Sequence, residues 1–168
     1  MNAILKGFSF VVYGVEKAVA HICSLLFSVM IISVFSEIVL RSLFRASLIW
    51  SSELATYCFM WLTFLGSAIG VLRMSHLTAD LLYKWVPEGH IVGKILEWFQ
   101  LVLIAILGWV FVKYGIVFVE KGMSRMSYAL GIPTGYNMML IVVTGVLYML
   151  NAVYLLIVKL IGWENGHD

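Results

Sequence analysis

Few side chains in this 168-residue chain can do chemistry, and most of them stand at the ends of long uncharged runs. Glu37 and Lys113 are the exceptions, each embedded in apolar sequence. An ionisable group inside a membrane-length apolar run normally pairs with another group or lines a polar path, because an unpaired charge in hydrocarbon is costly. Glu37 has Arg41 four residues on, a spacing that puts both on one helix face with the carboxylate on the favourable side. Lys113 precedes Glu120 by two turns and has the reach to snorkel outward. Glu53 opens its own uncharged run, where a carboxylate interacts well with the helix dipole. For all three, a structural role in pairing is the better reading than transport. Too few charges remain to line a sodium or proton pathway, and Pro87 and Pro133 both fall outside the apolar runs, so no broken helix builds a midplane site.

Other chemistries lack their residues. There is no GxSxG, HExxH or P-loop pattern, so no catalytic or phosphate-binding constellation emerges and the chain does not read as an enzyme. A haem held between spans needs facing histidines; of His21, His76, His90 and His167, only His21 lies within a span, near its start. Cys23 and Cys58 sit far apart inside apolar runs and read as small buried hydrophobes, giving no metal or disulfide site. A net charge of +2, scattered along the chain, gives no nucleic-acid footprint.

The elements that must position these residues are membrane spans. The chain is 62% hydrophobic and 12% charged, far below the roughly 25% charged of soluble domains. Its length accommodates about four spans of about 20 residues and little else. The expected fold is all-α: a single membrane domain over 1–168 with transmembrane helices at 18–40, 53–72, 98–119 and 136–158. Residues 3–17 put Ile4, Leu5, Phe8, Val11, Val12 and Val15 on one face, which predicts an N-terminal interfacial helix. Ala18-Val19-Ala20 has the look of a signal-peptide cleavage site, but Glu16 and Lys17 interrupt before it, so the segment is read as retained. Residues 76–86 form a second amphipathic arm, with Leu77, Leu81, Leu82 and Trp85 opposite Asp80 and Lys84, ended by Pro87 and Gly89. Within the second span, Gly66 and Gly70 make a small-xxx-small face suited to close helix approach. Lys6, Lys17, Arg73, Lys84, Lys94 and Lys159 fall on one side of the membrane, and Arg41, Arg45, Lys121 and Arg125 on the other. That excess predicts cytoplasmic termini.

One stretch carries a pattern. Trp50-Ser51-Ser52-Glu53 is followed by nineteen uncharged residues, Leu54 to Leu72, and then by Arg73, His76 and Asp80. At 1.5 Å per residue this run is about 28 Å of helix, the thickness of a hydrocarbon core. With Arg41 before it, Trp61 and Phe64-Leu65-Gly66 within it, and Gly131-Ile132-Pro133 opening the last span, the order resembles the small membrane subunit of tripartite ATP-independent periplasmic (TRAP) transporters. The resemblance spans nearly the whole chain. Met74-Ser75 departs from the small polar or glycine-like step expected before the histidine. The resemblance implies a scaffold subunit of the bacterial inner membrane, without cofactor. A large membrane subunit would carry the substrate and sodium sites, and a periplasmic binding protein would deliver an organic acid: a dicarboxylate, a sugar acid or a sialic acid. It also marks Arg41, Trp50, Glu53, Trp61, Gly66, Gly70, Arg73, His76 and Asp80 as interface or structural candidates. Two other classes fit the composition: a self-assembling channel, which the glycine face would support, and a membrane anchor of a redox complex, which the missing histidine pairs disfavour.

Overall fold

In a computed structural model of the chain, the backbone is described for residues 3–46, 48–85 and 91–164, and the side chains for 7, 10–46, 48–71, 95 and 98–159. Four α-helices account for the architecture: α1 (Ala3–Phe44), α2 (Ile49–Trp85), α3 (Ile91–Met123) and α4 (Gly135–Glu164). Each contains a stretch long and apolar enough to cross a membrane, namely Phe10–Phe44, Ile49–Val71, Trp98–Met123 and Gly135–Lys159. The all-helical, four-span expectation is met.

Two helices are longer than the hydropathy suggests. The predicted interfacial helix at 3–17 and the first span at 18–40 form one uninterrupted helix of 42 residues, about 63 Å long. No proline stands at or near the Lys17–Ala18 junction to break it. Val12 and Val19 are buried, and the Tyr13 ring meets Tyr154 of α4 edge-on at 6.2 Å. Residues 12–19 therefore pack against the other helices as a continuation of the first span. The helical backbone of α2 likewise continues unbroken from the second span through the predicted arm to Trp85. The amphipathic side chains of that arm, at 76–86, lie outside the described residues.

The helices pack in the lateral order α1–α2–α4–α3. Helix α3 packs mainly on α4, α1 mainly on α2, and α2 joins α4 in the middle; among the described residues α1 and α3 share no contact, and they form the two outer edges. Only 11% to 22% of each span's most apolar window is buried, so most of the apolar surface faces outward.

The α3–α4 contact is built on glycine. A Cβ on Gly108 would come within 2.9 Å of the Met149 side chain, one on Gly115 within 2.9 Å of Val142, and one on Gly145 within 2.9 Å of the Gly108 carbonyl. Gly122 and Gly135 approach each other as closely. Small residues let backbones meet where lipid removes the hydrophobic drive to associate, and dispersion and weak hydrogen bonds take over. Gly66 and Gly70 play no such part among the described residues: a Cβ on either would meet none of them within 4 Å. Gly108, Gly115 and Gly122 recur every seven residues, and that spacing was the available signal.

Candidate functional site

Both short connections, α1–α2 and α3–α4, lie at one end of the helix row. The longer one is tightly tied. Ser127 N–H donates to the Ile132 carbonyl and Thr134 N–H to the Arg125 carbonyl, each at 2.8 Å. Gly131 takes the left-handed φ of 66° that closes the turn, a conformation open to glycine at little cost. The Thr134 hydroxyl donates back to the Gly122 carbonyl at 3.0 Å, fastening the end of α3 to the start of α4. Asn137 and Met138 N–H groups donate to the Thr134 carbonyl, opening α4.

Glu53 reaches into this turn from the first turns of α2. Its Oε2 accepts the Ala129 N–H at 2.8 Å and the Leu130 N–H at 3.2 Å, and the Ser127 hydroxyl also bonds the carboxylate. Tyr57, one turn down α2, donates to Oε1 at 3.3 Å. The charge thus satisfies backbone donors that no secondary structure pairs, and such charge-assisted bonds are stronger than neutral ones. Chemically this is a brace, with the carboxylate's acceptor capacity taken up by the protein itself.

Two residues earlier, Ser51 performs the matching task for α1. It is fully buried, donates to the Ser33 carbonyl at 2.9 Å, and its Oγ lies 3.0 Å from the Ser33 hydroxyl. Its N–H is taken by the Leu48 carbonyl as α2 begins. On the other side of the link, Arg45 closes α1 in the left-handed conformation, φ 53°, a position where glycine is commoner. The sequence Trp50-Ser51-Ser52-Glu53 is therefore a double fastening: Ser51 to α1, Glu53 to the α3–α4 turn. Trp50 itself is exposed at the rim.

Further along α2 a polar seam runs against α4. Asn137 Nδ2 donates to the Met60 sulfur at 3.2 Å, the Tyr148 hydroxyl to Ser67 Oγ at 2.9 Å, and Asn151 Nδ2 to the Ala68 carbonyl at 2.8 Å. Phe64 and Tyr148 flank the Phe111 ring at 6.0 and 5.8 Å, bringing α3 to the same point. Asn137, Thr144 and Asn151 recur every seven residues on one face of α4 and are all buried.

The other predicted residues separate. Among the described residues Glu37 and Arg41 form no ion pair: Arg41 is exposed and Glu37 half-buried without a described partner. The expected i,i+4 pair is not made: Arg41 stands in the last turn of α1, exposed at the end of the apolar span, where a long cationic side chain can remain solvated. Trp61 is half-buried in α2. Arg73, His76 and Asp80 lie on the continuous backbone of α2, with side chains outside the described residues. Lys113 is exposed, and its ammonium lies 4.8 Å from the Trp109 ring centroid and 5.7 Å from that of Tyr114. It leans on the ring four residues back instead of reaching toward Glu120.

Comparison with known proteins places this geometry in a lineage. Residues 30–161 match the family model of the tripartite ATP-independent periplasmic transporters, DctQ component. A chain described as a TRAP transporter small permease protein in Haemophilus influenzae is 25% identical over 134 residues, 79% of this chain and 81% of that one. The sialic acid TRAP transporter permease protein SiaT of another H. influenzae strain is 31% identical over 81 residues, which cover 48% of this chain but only 13% of the longer permease. The C4-dicarboxylate TRAP transporter small permease protein DctQ of Vibrio cholerae is 30% identical over 53 residues, 32% of this chain and 23% of that protein. No solved structure gives a significant match. The matched residues run from the middle of α1 through α4, taking in Ser33, Ser51, Glu53 and the turn they fasten. The chain belongs to the DctQ family of small TRAP transporter permease subunits, a multi-pass membrane component of a transporter and not an enzyme.

Proposed function

We propose that this chain is the scaffold subunit of a sodium-coupled TRAP transporter that imports an organic acid. It would brace a larger membrane subunit that carries the substrate and sodium sites. The observation that carries this reading is the open row of helices: among the described residues α1 and α3 do not touch, and most of the apolar span surface faces out of the chain. Polar side chains within the row are largely spent on partners inside the chain, as Glu53, Ser51, Tyr148 and Asn151 are. A helix set built this way is a rigid surface awaiting a neighbour. The SiaT match, confined to 13% of a much longer permease, supports a large partner. A dicarboxylate, a sugar acid or a sialic acid would be delivered by a periplasmic binding protein.

The Lys and Arg distribution supports cytoplasmic termini, with residues 41–52 and 120–135 facing the periplasm. Reporter fusions after Arg45, Lys84, Arg125 and Lys159 test this; a periplasmic signal at Lys84 overturns it. The function itself is tested by uptake into liposomes holding this chain, the large subunit and the binding protein. Uptake should require all three and a sodium gradient. Full activity without this chain, or conductance by this chain alone, would sink the scaffold reading.

A further inference from the structure

We propose that Lys113 marks the edge along which this chain meets its large partner, and that its counter-ion is a carboxylate on a membrane helix of that partner. The proposal rests on the scaffold reading above. Helix α3 is one outer edge of the row, and it turns Leu101, Ile104, Gly108 and Gly115, all buried, toward α4. Its opposite side carries Phe99, Val102, Ile106, Trp109, Lys113 and Ile116, and every one is exposed. These six are spaced three or four residues apart, the register of a helix–helix seam, and Lys113 is the only charge among them. Intramembrane ionisable residues almost always face a protein interior and pair there. Lys113 faces out of this chain, so the interior it faces belongs to an assembly.

Depth separates a partner carboxylate from a lipid phosphate. The Lys113 Cα is seven residues, about 10 Å of helix, inward from Glu120. A cation serving headgroups would extend toward that nearer surface. Here the ammonium instead leans on Trp109, one turn deeper, with the Tyr114 ring also within 5.7 Å. Two ring faces partly compensate a desolvated cation and fix its position. No described residue accepts a hydrogen bond from this ammonium, so its three donors are open to a carboxylate, which gives a charge-assisted bond. One polar residue in an otherwise apolar seam also sets the register of two helices.

The test uses the assembled complex, with a photoreactive diazirine lysine analogue at position 113 and mass spectrometry of the adducts. The expected adduct is on a membrane helix of the large subunit, beside an Asp or Glu. In parallel, Lys113→Glu should reduce recovery of the large subunit by about tenfold or more, the scale for a desolvated charge pair left unmatched. Lys113→Arg should keep it, and reversing the identified acidic residue to Lys should restore assembly with Lys113→Glu. Helical content of the purified Lys113→Glu chain should equal wild type, since Lys113 is exposed. An adduct only on phospholipid, an adduct on a second copy of this chain, or full recovery with Lys113→Glu overturns the proposal. If the wild-type chain recovers no large subunit at all, it is the scaffold reading that fails.

Discussion

Glu53 and Ala129 stand 76 residues apart in sequence and are joined by a 2.8 Å hydrogen bond from backbone N–H to carboxylate. Through this contact the start of α2 holds the turn between α3 and α4, and Ser51 in the same helical turn holds α1. All four helices are thereby referenced to one point at one end of the row.

Removing the brace should loosen that end first. Glu53→Gln keeps an acceptor oxygen but loses the charge that strengthens its bonds, and Glu53→Ala loses both. The thermal midpoint of the purified complex should fall in the order wild type, Gln, Ala. Hydrogen exchange should speed up at Ala129 and Leu130 before it does in the helices. Unchanged exchange at those two amides would show the contact to be dispensable.

The Ser33–Ser51 latch is buried, so its loss is felt on both helices. Ser51→Ala leaves the Ser33 hydroxyl without its acceptor and should cost about 1 kcal/mol. A double-mutant cycle with Ser33→Ala should return a coupling of about 0.6 kcal/mol, typical of side-chain bonds between membrane helices. Full additivity of the two substitutions would place the latch energy elsewhere.

Glycines that look alike in sequence should behave oppositely. Gly145→Ala puts a methyl 2.9 Å from the Gly108 carbonyl, where backbone has little room to yield. A loss of about 1–3 kcal/mol is expected. Gly66→Ala meets open space within the chain and should leave the isolated chain's stability nearly unchanged. Larger residues at Gly66 and Gly70 together would act only through a partner helix, so Gly66→Leu with Gly70→Leu should lower recovery of the large subunit while the chain alone stays folded. Normal assembly and uptake with that pair would put the contact on another face.

Thr144 is fully buried, and its hydroxyl has no hydrogen-bond partner among the described residues. Valine has nearly the same shape and no polar group to desolvate. Thr144→Val should therefore raise stability by up to about 1 kcal/mol in a thermal or denaturant titration. A clear loss of stability instead would mean the hydroxyl is engaged in the assembled complex.

The sequence alone determined the solvent, the element type and the count. Hydropathy is a sum over consecutive residues, and in lipid a segment of that length and apolarity has to satisfy its own backbone, so four apolar runs became four helices. It also singled out Glu53, from its place at the mouth of a span. What Glu53 grips was not legible, because the acceptor's partners are backbone amides at 129 and 130, and a backbone N–H carries no residue identity. Amphipathicity was read as a break where there is none: no proline stands near the Lys17–Ala18 junction, and Val12 and Val19 are buried on either side of it. Gly66 and Gly70 matched a known motif, yet Gly108, Gly115 and Gly122 make the contact, because close approach depends on which face meets another helix. Lys113 was read toward Glu120 along its own helix, whereas the fold puts it on an outer edge above Trp109. Only the lateral order α1–α2–α4–α3 decides which side chains face inward and which await another chain. That order is set by small residues and hydrogen bonds across space, since lipid solvates every apolar face equally well.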